Sequence, residues 1–398
     1  MIKIGFWFDA PFGYSGGVNY IKNLLYALSL VNNGAVRPYV FFSTEVPHEI
    51  EDQFSKYATI VRTQILSRWS CLWFIHKVLY KVFNSMLMVN TLLKRYEIQV
   101  VSHVWFVYKG RPSFKIIAWI PDFQYLHFPE LFPNIDLEKE SRINQQIVAQ
   151  SNAVILSSNC VFEDFKRIAL PCHINRGSVL RFVSQPSTPL TSDILTSEII
   201  EKKYGFRGRY FILPNQFWVH KNHLVVLKAI AWLKQNGTEV QVLCTGNTHD
   251  FRLSGTPYID SLYNFIESNE LQENVRILGL IEYNDLMFLL RNAVAVINPS
   301  RFEGWSSSVE EAKSAGKTVI LSNIDVHIEQ NPAKGLYFDP DNSVELAEIL
   351  QKVWASRDAV SRAEAEKLAS IALHDRTIAF GREYLALIKK VASEDDAS

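Results

Sequence analysis

Short β-branched runs that alternate with helix-spaced segments constrain this chain more than any other feature. Ile2–Phe8 reads as a buried strand. Asp9–Gly17 is a loop bearing Gly, Pro and Ser, and Val18–Leu30 places Ile21, Leu24, Leu25 and Leu28 at helical spacing. Strand, glycine loop, helix is the opening unit of a parallel α/β fold. Gln99–His103, Lys115–Ile120 and Ala153–Leu156 read as further strands. The second half repeats the rhythm more cleanly. Strands are predicted at Tyr210–Leu213, Val240–Thr245, Val275–Leu278, Ala293–Ile297, Thr318–Leu321 and Gly335–Phe338. Helices are predicted at His223–Lys234, Ser261–Ser268, Asn284–Arg291, Ser307–Ala315 and Val344–Trp354.

With 398 residues the chain is long enough for two such units. The expected fold class is α/β, with two Rossmann-like domains facing a cleft: 1–185, 204–375, and a helical tail 376–398 that crosses back to the first. The boundary falls in Val183–Lys203, which carries two prolines, several Ser/Thr residues and little apolar pattern before Ile199. Lys+Arg and Asp+Glu both number 41, a balance that argues against a nucleic-acid binder. Cys71, Cys160, Cys172 and Cys244 form no C-x-x-C pair and read as buried free thiols in a reducing compartment. The first residues run straight into a strand pattern with no signal-peptide organisation, and no apolar run reaches the ~18 residues of a spanning helix. A cytoplasmic protein is expected, working at the inner face of a membrane if it is membrane-associated.

Trp69–Tyr96 departs from the α/β rhythm. Trp73, Phe74, Val78, Leu79, Val82, Phe83, Leu87 and Leu92 recur there with Lys77, Lys81, Lys94 and Arg95 between them. Such a basic amphipathic helix suits an anionic membrane surface; the alternative is a core-packed helix with snorkelling lysines.

The most informative stretch is Pro299–Ala312, between a strand and a helix. Glu303 lies in the loop and Glu311 in an early helical turn, eight residues apart. The amides of Ser306, Ser307 and Ser308 lie where the helix begins. A helix start offers unpaired N–H groups and a positive dipole end to a phosphate or oxyanion. A carboxylate accepts hydrogen bonds from a diol, as in a ribose or hexose. The alternative is a serine N-cap with acidic residues favouring the first turn.

This stretch resembles the E-x7-E motif of the family 4 retaining glycosyltransferases, which have the GT-B fold. Glu303 and Glu311 match the two glutamates, and Gly304-Trp305-Ser306-Ser307 the glycine–aromatic–small run. Asn215–His223 resembles the family's first loop of the C-terminal domain, which ends in Lys-Asn, here Lys221-Asn222. Gly246 and Gly335–Pro340 match later landmarks, so the resemblance covers nearly all of Tyr210–Trp354. In the first half it is looser, resting on Gly16-Gly17, on Ile120–Glu130 with Asp122 and His127, and on Ser157-Ser158.

The resemblance implies transfer of a sugar from a nucleotide-diphosphate sugar to a glycan or lipid-linked acceptor, with retention and without a metal. The pathway implied is bacterial surface polysaccharide synthesis. The nucleotide sugar is then a co-substrate, and no resident cofactor is expected. A mannose or rhamnose donor is among the candidates. Glu311 would bind the ribose, and Glu303 would face the donor sugar. The Trp305–Ser308 amides would bind the sugar or the diphosphate, and Lys221 would neutralise the departing diphosphate. Gly16-Gly17 would admit the donor or acceptor, or else form a tight turn. Asp122 and His127 would orient and deprotonate the acceptor, or else serve loop hydrogen bonding. At Gln216 the family usually has an arginine, so the diphosphate site is one cation short unless His220, Arg301 or another neighbour supplies it. The alternatives are a nucleotide-sugar epimerase of the same architecture and a degenerate binding partner of another glycosyltransferase.

Overall fold

The computed structural model describes residues 1–8, 15–110, 112–185, 195–250, 252, 256–356 and 362–394. By its contacts the chain divides into two units. The first is Met1–Phe123, Asp136–Val183 and Asp375–Ser398; the second is Gln124–Ile135 and Ser184–His374. The segment Gln124–Ile135, inside the range expected for the first domain, thus groups with the second unit. The end of the chain groups with the first.

The first unit is built on a seven-stranded parallel sheet: β1 (Ile2–Trp7), β2 (Val36–Phe42), β3 (Thr59–Arg62), β4 (Val100–Val104), β5 (Lys115–Ile120), β6 (Ala153–Leu156) and β7 (Gly177–Val179). Their order is β3-β2-β1-β4-β5-β6-β7. Three of these strands were not legible in the sequence. In β2, Pro38 removes a backbone donor from a strand paired on both sides, opposite Ile4 of β1, and proline there argues against a central strand. β3 and β7 have four and three residues, too few to show a pattern.

Gly16 and Gly17 lie inside the helix Ser15–Val31, where a loop was expected; the rest of that predicted loop, 9–14, is outside the described residues. The single helix expected across Trp69–Tyr96 is two, Cys71–Val82 and Leu87–Arg95. The chain ends in the helix Arg362–Ser393. In its first-unit part Tyr384 is buried, and its hydroxyl donates to Ser102 Oγ of β4 at 2.7 Å. The cysteines are free, as expected, but only Cys244 is buried; Cys71 and Cys172 are exposed.

The second unit has a six-stranded parallel sheet. Its strands are β8 (Phe211–Pro214), β9 (Val242–Thr245), β10 (Val275–Gly279), β11 (Val296–Asn298), β12 (Val319–Ser322) and β13 (Gly335–Phe338), in the order β10-β9-β8-β11-β12-β13. Its inner strands β8, β9, β11 and β12 are buried on both faces. Phe211, Leu213 and Ile297 pack with the helices His223–Gln235 and Ser343–Ala355. Ile212, Val296 and Leu321 pack on the opposite face with Leu289, Leu290 and Val309. This two-sided burial is why the strands read as continuous apolar runs. Part of the predicted linker is the helix Ser197–Tyr204. Thr196 caps it by accepting from Ile199 N–H, Gly205 ends it at φ 67°, and Ile200 is its buried anchor. Strand order reverses between β8 and β11, and an open α/β sheet binds ligands beyond the carboxyl ends of the strands at that switch point.

Candidate active site

The loops after β8 and β11 meet at the switch point and are tied together by buried polar side chains. Asn298 is the last residue of β11. Its Nδ2 donates to Ser306 Oγ at 2.8 Å and Ser308 Oγ at 3.1 Å. Its Oδ1 accepts from Asn215 Nδ2 at 3.1 Å, just past β8. Asn222 takes a left-handed conformation at φ 57°, and its Nδ2 donates to the carbonyls of Pro299 (3.2 Å) and Pro340 (2.8 Å). Arg301 N–H donates to His220 O at 2.8 Å. Such a network is stable when satisfied and costly when broken, so it fixes where the neighbouring side chains point.

That scaffold holds Lys221 against Glu303. Lys221 Nζ donates to Glu303 Oε1 at 2.8 Å and Oε2 at 2.7 Å, with the side chains only 13% and 8% exposed. Ser300 Oγ lies 2.7 Å from both Glu303 Oε1 and Asn298 Oδ1, and its one proton serves one of them at a time. Burial pushes the Glu303 carboxyl up. The Lys221 charge, aided by hydrogen bonds from Lys221 and Ser300, outweighs it, so the group sits below the usual carboxylate range. His327, on the helix Asp325–Gln330, is buried, and burial holds it neutral at about 4 against the pull of Glu303. Its Nδ1 is 3.0 Å from Ser322 O, an acceptor, so that nitrogen carries the proton.

Glu311 lies in the second turn of the helix Ser307–Ser314. Tyr283 Oη donates to its Oε1 at 3.3 Å. Burial pushes its carboxyl up to about 7, with the tyrosine hydrogen bond opposing. Two carboxylates of one motif thus have different characters: Glu303 is ionised and matched by a cation, while Glu311 titrates near neutrality.

Other expected residues are placed differently from one another. Ser306 is the N-cap residue, but its hydroxyl makes no cap; it accepts from Asn298. Its N–H donates to Gln330 Oε1 at 3.2 Å, and Gln330 Nε2 returns a bond to Ser306 O at 3.0 Å. Ser308 is buried in the same network, Ser307 is exposed, Gly304 is buried and Trp305 is partly buried. Gln216 Oε1 accepts Asn247 N–H at 2.6 Å, joining the loops after β8 and β9. Those loops touch closely enough that a Cβ on Gly246, at φ +144°, would lie 2.3 Å from Asn215 O. His127 lies in the second unit with its ring 4.9 Å from that of Phe302, the neighbour of Glu303. Asp122, Gly16 and Gly17 belong to the first unit.

No neighbour expected to replace the missing arginine does so as a free cation. Burial, then the charges of Lys221 and Arg252, lower His220 to about 2, so it is neutral. Arg301 pairs with Asp341 at 2.5 Å. The cation beside this loop is Arg252, stacked 4.6 Å over the Trp218 ring, held twice by Asp250 and bonded to Gln124 Oε1 at 2.9 Å. Asn298, Gln330 and His327 were not anticipated. Only Asn298 had a signal, a polar residue closing an apolar run.

Residues 197–369, most of the second unit, match the family model of glycosyl transferases group 1. The fold is shared with solved GT-B glycosyltransferases. A Rickettsia africae glycosyltransferase superposes with a TM-score of 0.65 at 17% identity, covering 99% of each chain. Anabaena HepE, solved with UDP-glucose, gives 0.67 at 15% identity, covering 99% of this chain and 100% of its own. Among curated proteins, the O-antigen chain mannosyltransferase RfbU of Salmonella typhimurium is 26% identical over 180 residues. That match takes in 45% of this chain and 47% of RfbU, so the chain spans about half of that relative's length.

Proposed function

We propose that this protein is a retaining, metal-independent glycosyltransferase acting in bacterial surface polysaccharide synthesis. It would move a sugar from a nucleotide-diphosphate sugar to a glycan or lipid-linked acceptor, in the cytoplasm at the inner face of the membrane. The observation that carries the reading is the buried Lys221–Glu303 pair at the switch point, with Glu311 one helical turn away from the Ser307 amide end. The group 1 domain and the O-antigen relative support it, and the latter favours a mannosyl donor.

In this reading the Glu311 carboxylate accepts both ribose hydroxyls. The diphosphate lies at the helix start near Ser307 and Ser308, and Lys221 turns partly from Glu303 to the phosphate. Glu303, relieved of part of that pairing, accepts a donor-sugar hydroxyl. The anomeric C–O bond to phosphate breaks, and a bond to the acceptor oxygen forms on the same face. The acceptor proton leaves with the phosphate. Negative charge grows on the leaving group, so Lys221 and the amides bind the transition state better than the ground state. Asp122 and His127 are assigned to the acceptor side.

The test is incubation of the full chain with a panel of nucleotide sugars and lipid-linked acceptors in the presence of EDTA. Product keeping the donor's anomeric configuration is expected. Inversion, dependence on added metal, release of a free epimerised nucleotide sugar, or binding without turnover would each contradict the proposal.

A further inference from the structure

Backbone strain persists only where the surrounding structure over-determines it, and it clusters at functional sites. His103, in β4, holds φ 61°, uncommon for any residue but glycine. It is an extra residue in the ladder: Ser102 of β4 faces Ile117 of β5, and Val104 faces Ala118. This bulge is locked from two helices. Tyr384 Oη, on the last helix, donates to Ser102 Oγ at 2.7 Å, which leaves the Ser102 proton for His103 Nδ1 at 2.8 Å. His103 Nε2 then donates to Tyr20 Oη at 3.2 Å, on the helix Ser15–Val31. The ring is buried, and burial keeps it neutral by lowering it to about 3. A bulge of this kind bends its strand and re-aims the side chains beside it.

The first residue past the bulged strand is Trp105, 55% exposed. The loop that carries it is pinned on both sides. Gln150 Oε1 accepts Tyr108 N–H at 2.7 Å, and Gln150 Nε2 donates to Phe106 O at 2.9 Å. Tyr80 Oη donates to Val107 O at 3.3 Å, and Lys109 Nζ donates to Tyr80 O at 3.1 Å. Phe106 packs against the core with its ring edge-on to the indole, 6.1 Å away. Trp105 is therefore a half-exposed aromatic on a fixed backbone. Strand order in the first sheet reverses between β1 and β4, so Trp105 follows the carboxyl end of a switch-point strand, where an open α/β sheet binds its ligand. The neighbouring strand β5 leads, two residues on, to Asp122, assigned above to the acceptor side. An indole face is electron-rich, and a pyranose offers it a face of polarised C–H bonds. A rigid tryptophan supplies that contact at little cost in conformational entropy.

We propose that Trp105 is the platform on which a pyranose ring of the acceptor glycan stacks. This assignment rests on the transfer reaction proposed above but is read without donor or turnover. Saturation-transfer NMR on the full chain takes the methyl α-glycosides of mannose, glucose, galactose and rhamnose as probes. At least one should receive saturation, strongest at the C–H protons of one ring face. Trp105→Ala should weaken its binding about tenfold, and Trp105→Phe about threefold or less. Both variants should keep the wild-type melting temperature and the wild-type response to nucleoside diphosphates, which report on the second unit. Saturation of none of the glycosides, or equal binding by Trp105→Ala, would overturn the platform and leave the transfer reaction standing. Glycoside binding through Trp105 without transfer from any donor would uphold the platform and contradict the transfer reaction instead. A concentration-dependent dimer that Trp105→Ala dissociates would give the indole to a second copy and overturn the proposal.

Discussion

Glu311→Gln should stabilise the protein above neutral pH while abolishing nucleotide binding. Burial pushes this carboxyl up to about 7 from 4.5, so the folded protein keeps a proton that the unfolded chain has lost between those values. The group's contribution to stability is complete below about pH 4.5 and is lost as pH rises through 7. The difference, 7 − 4.5 = 2.5 units at 1.36 kcal/mol each, caps the loss at about 3 kcal/mol. Glu311 keeps some contact with solvent, which screens it, so about 1–2 kcal/mol is the working figure. Glutamine has the same shape, keeps an oxygen for the Tyr283 hydroxyl and does not titrate. Urea melts at pH 8 should therefore show the variant more stable by about 1–2 kcal/mol. At pH 5 the two proteins should differ by about 0.5 kcal/mol or less. A variant less stable at pH 8, or an equal difference at both pH values, would mean that burial does not hold the Glu311 carboxyl protonated. A stability disadvantage of this kind is what a binding role retains.

Other perturbations test neighbouring parts of the site. Lys221→Met leaves Glu303 buried without its cation and should cost about 3 kcal/mol of stability and all measurable transfer. Adding Glu303→Gln should recover most of the melting temperature and none of the activity, and a double variant no more stable than the single one would disprove the pairing argument. If ribose hydroxyls donate to the Glu311 carboxylate, nucleoside diphosphate affinity should fall below pH 7 by up to about tenfold per unit; calorimetry giving a flat profile from pH 5.5 to 8 would rule that out. Gln216→Ala should lose about 1 kcal/mol with the bond to Asn247 N–H. Gln216→Arg should leave turnover within about tenfold of wild type, whereas a larger gain would mean the site is an impaired version of the arginine-bearing one and not an adapted one.

Much of the second unit was legible because its chemistry is local in sequence. Buried parallel strands are apolar runs, and β13 and the helix from His223 begin where the pattern places them. Glu303 and Glu311 stand eight residues apart in one loop–helix segment, so one motif carries both. Physics acting across the chain was not legible. Ser306 and Ser308 were expected to offer their amides to a ligand or a serine to cap the helix, yet their hydroxyls bond to Asn298 and Asn215, and no local pattern announces partners up to 93 residues away. Gln330 takes the Ser306 amide from 24 residues downstream. Whether Lys221 would meet Glu303, 82 residues on, also depended on the fold. In the first unit, Pro38 hid a central strand. The stretch Trp69–Tyr96 showed its amphipathic spacing, but spacing alone cannot say which way a stripe faces; packing decides that, and here it leaves Phe74 and Val82 in solvent.

Lys221, Glu303 and Glu311 at the switch point of the second sheet are proposed to form a nucleotide-sugar site. The most direct measurement is a thermal-shift screen of wild type and Glu311→Ala against UDP, GDP, dTDP, CMP and ADP. A folded-state ligand raises the melting temperature as it binds. A selective rise with one nucleoside diphosphate, lost in the variant, is expected. No rise with any of the five, or a rise that Glu311→Ala leaves intact, would contradict it.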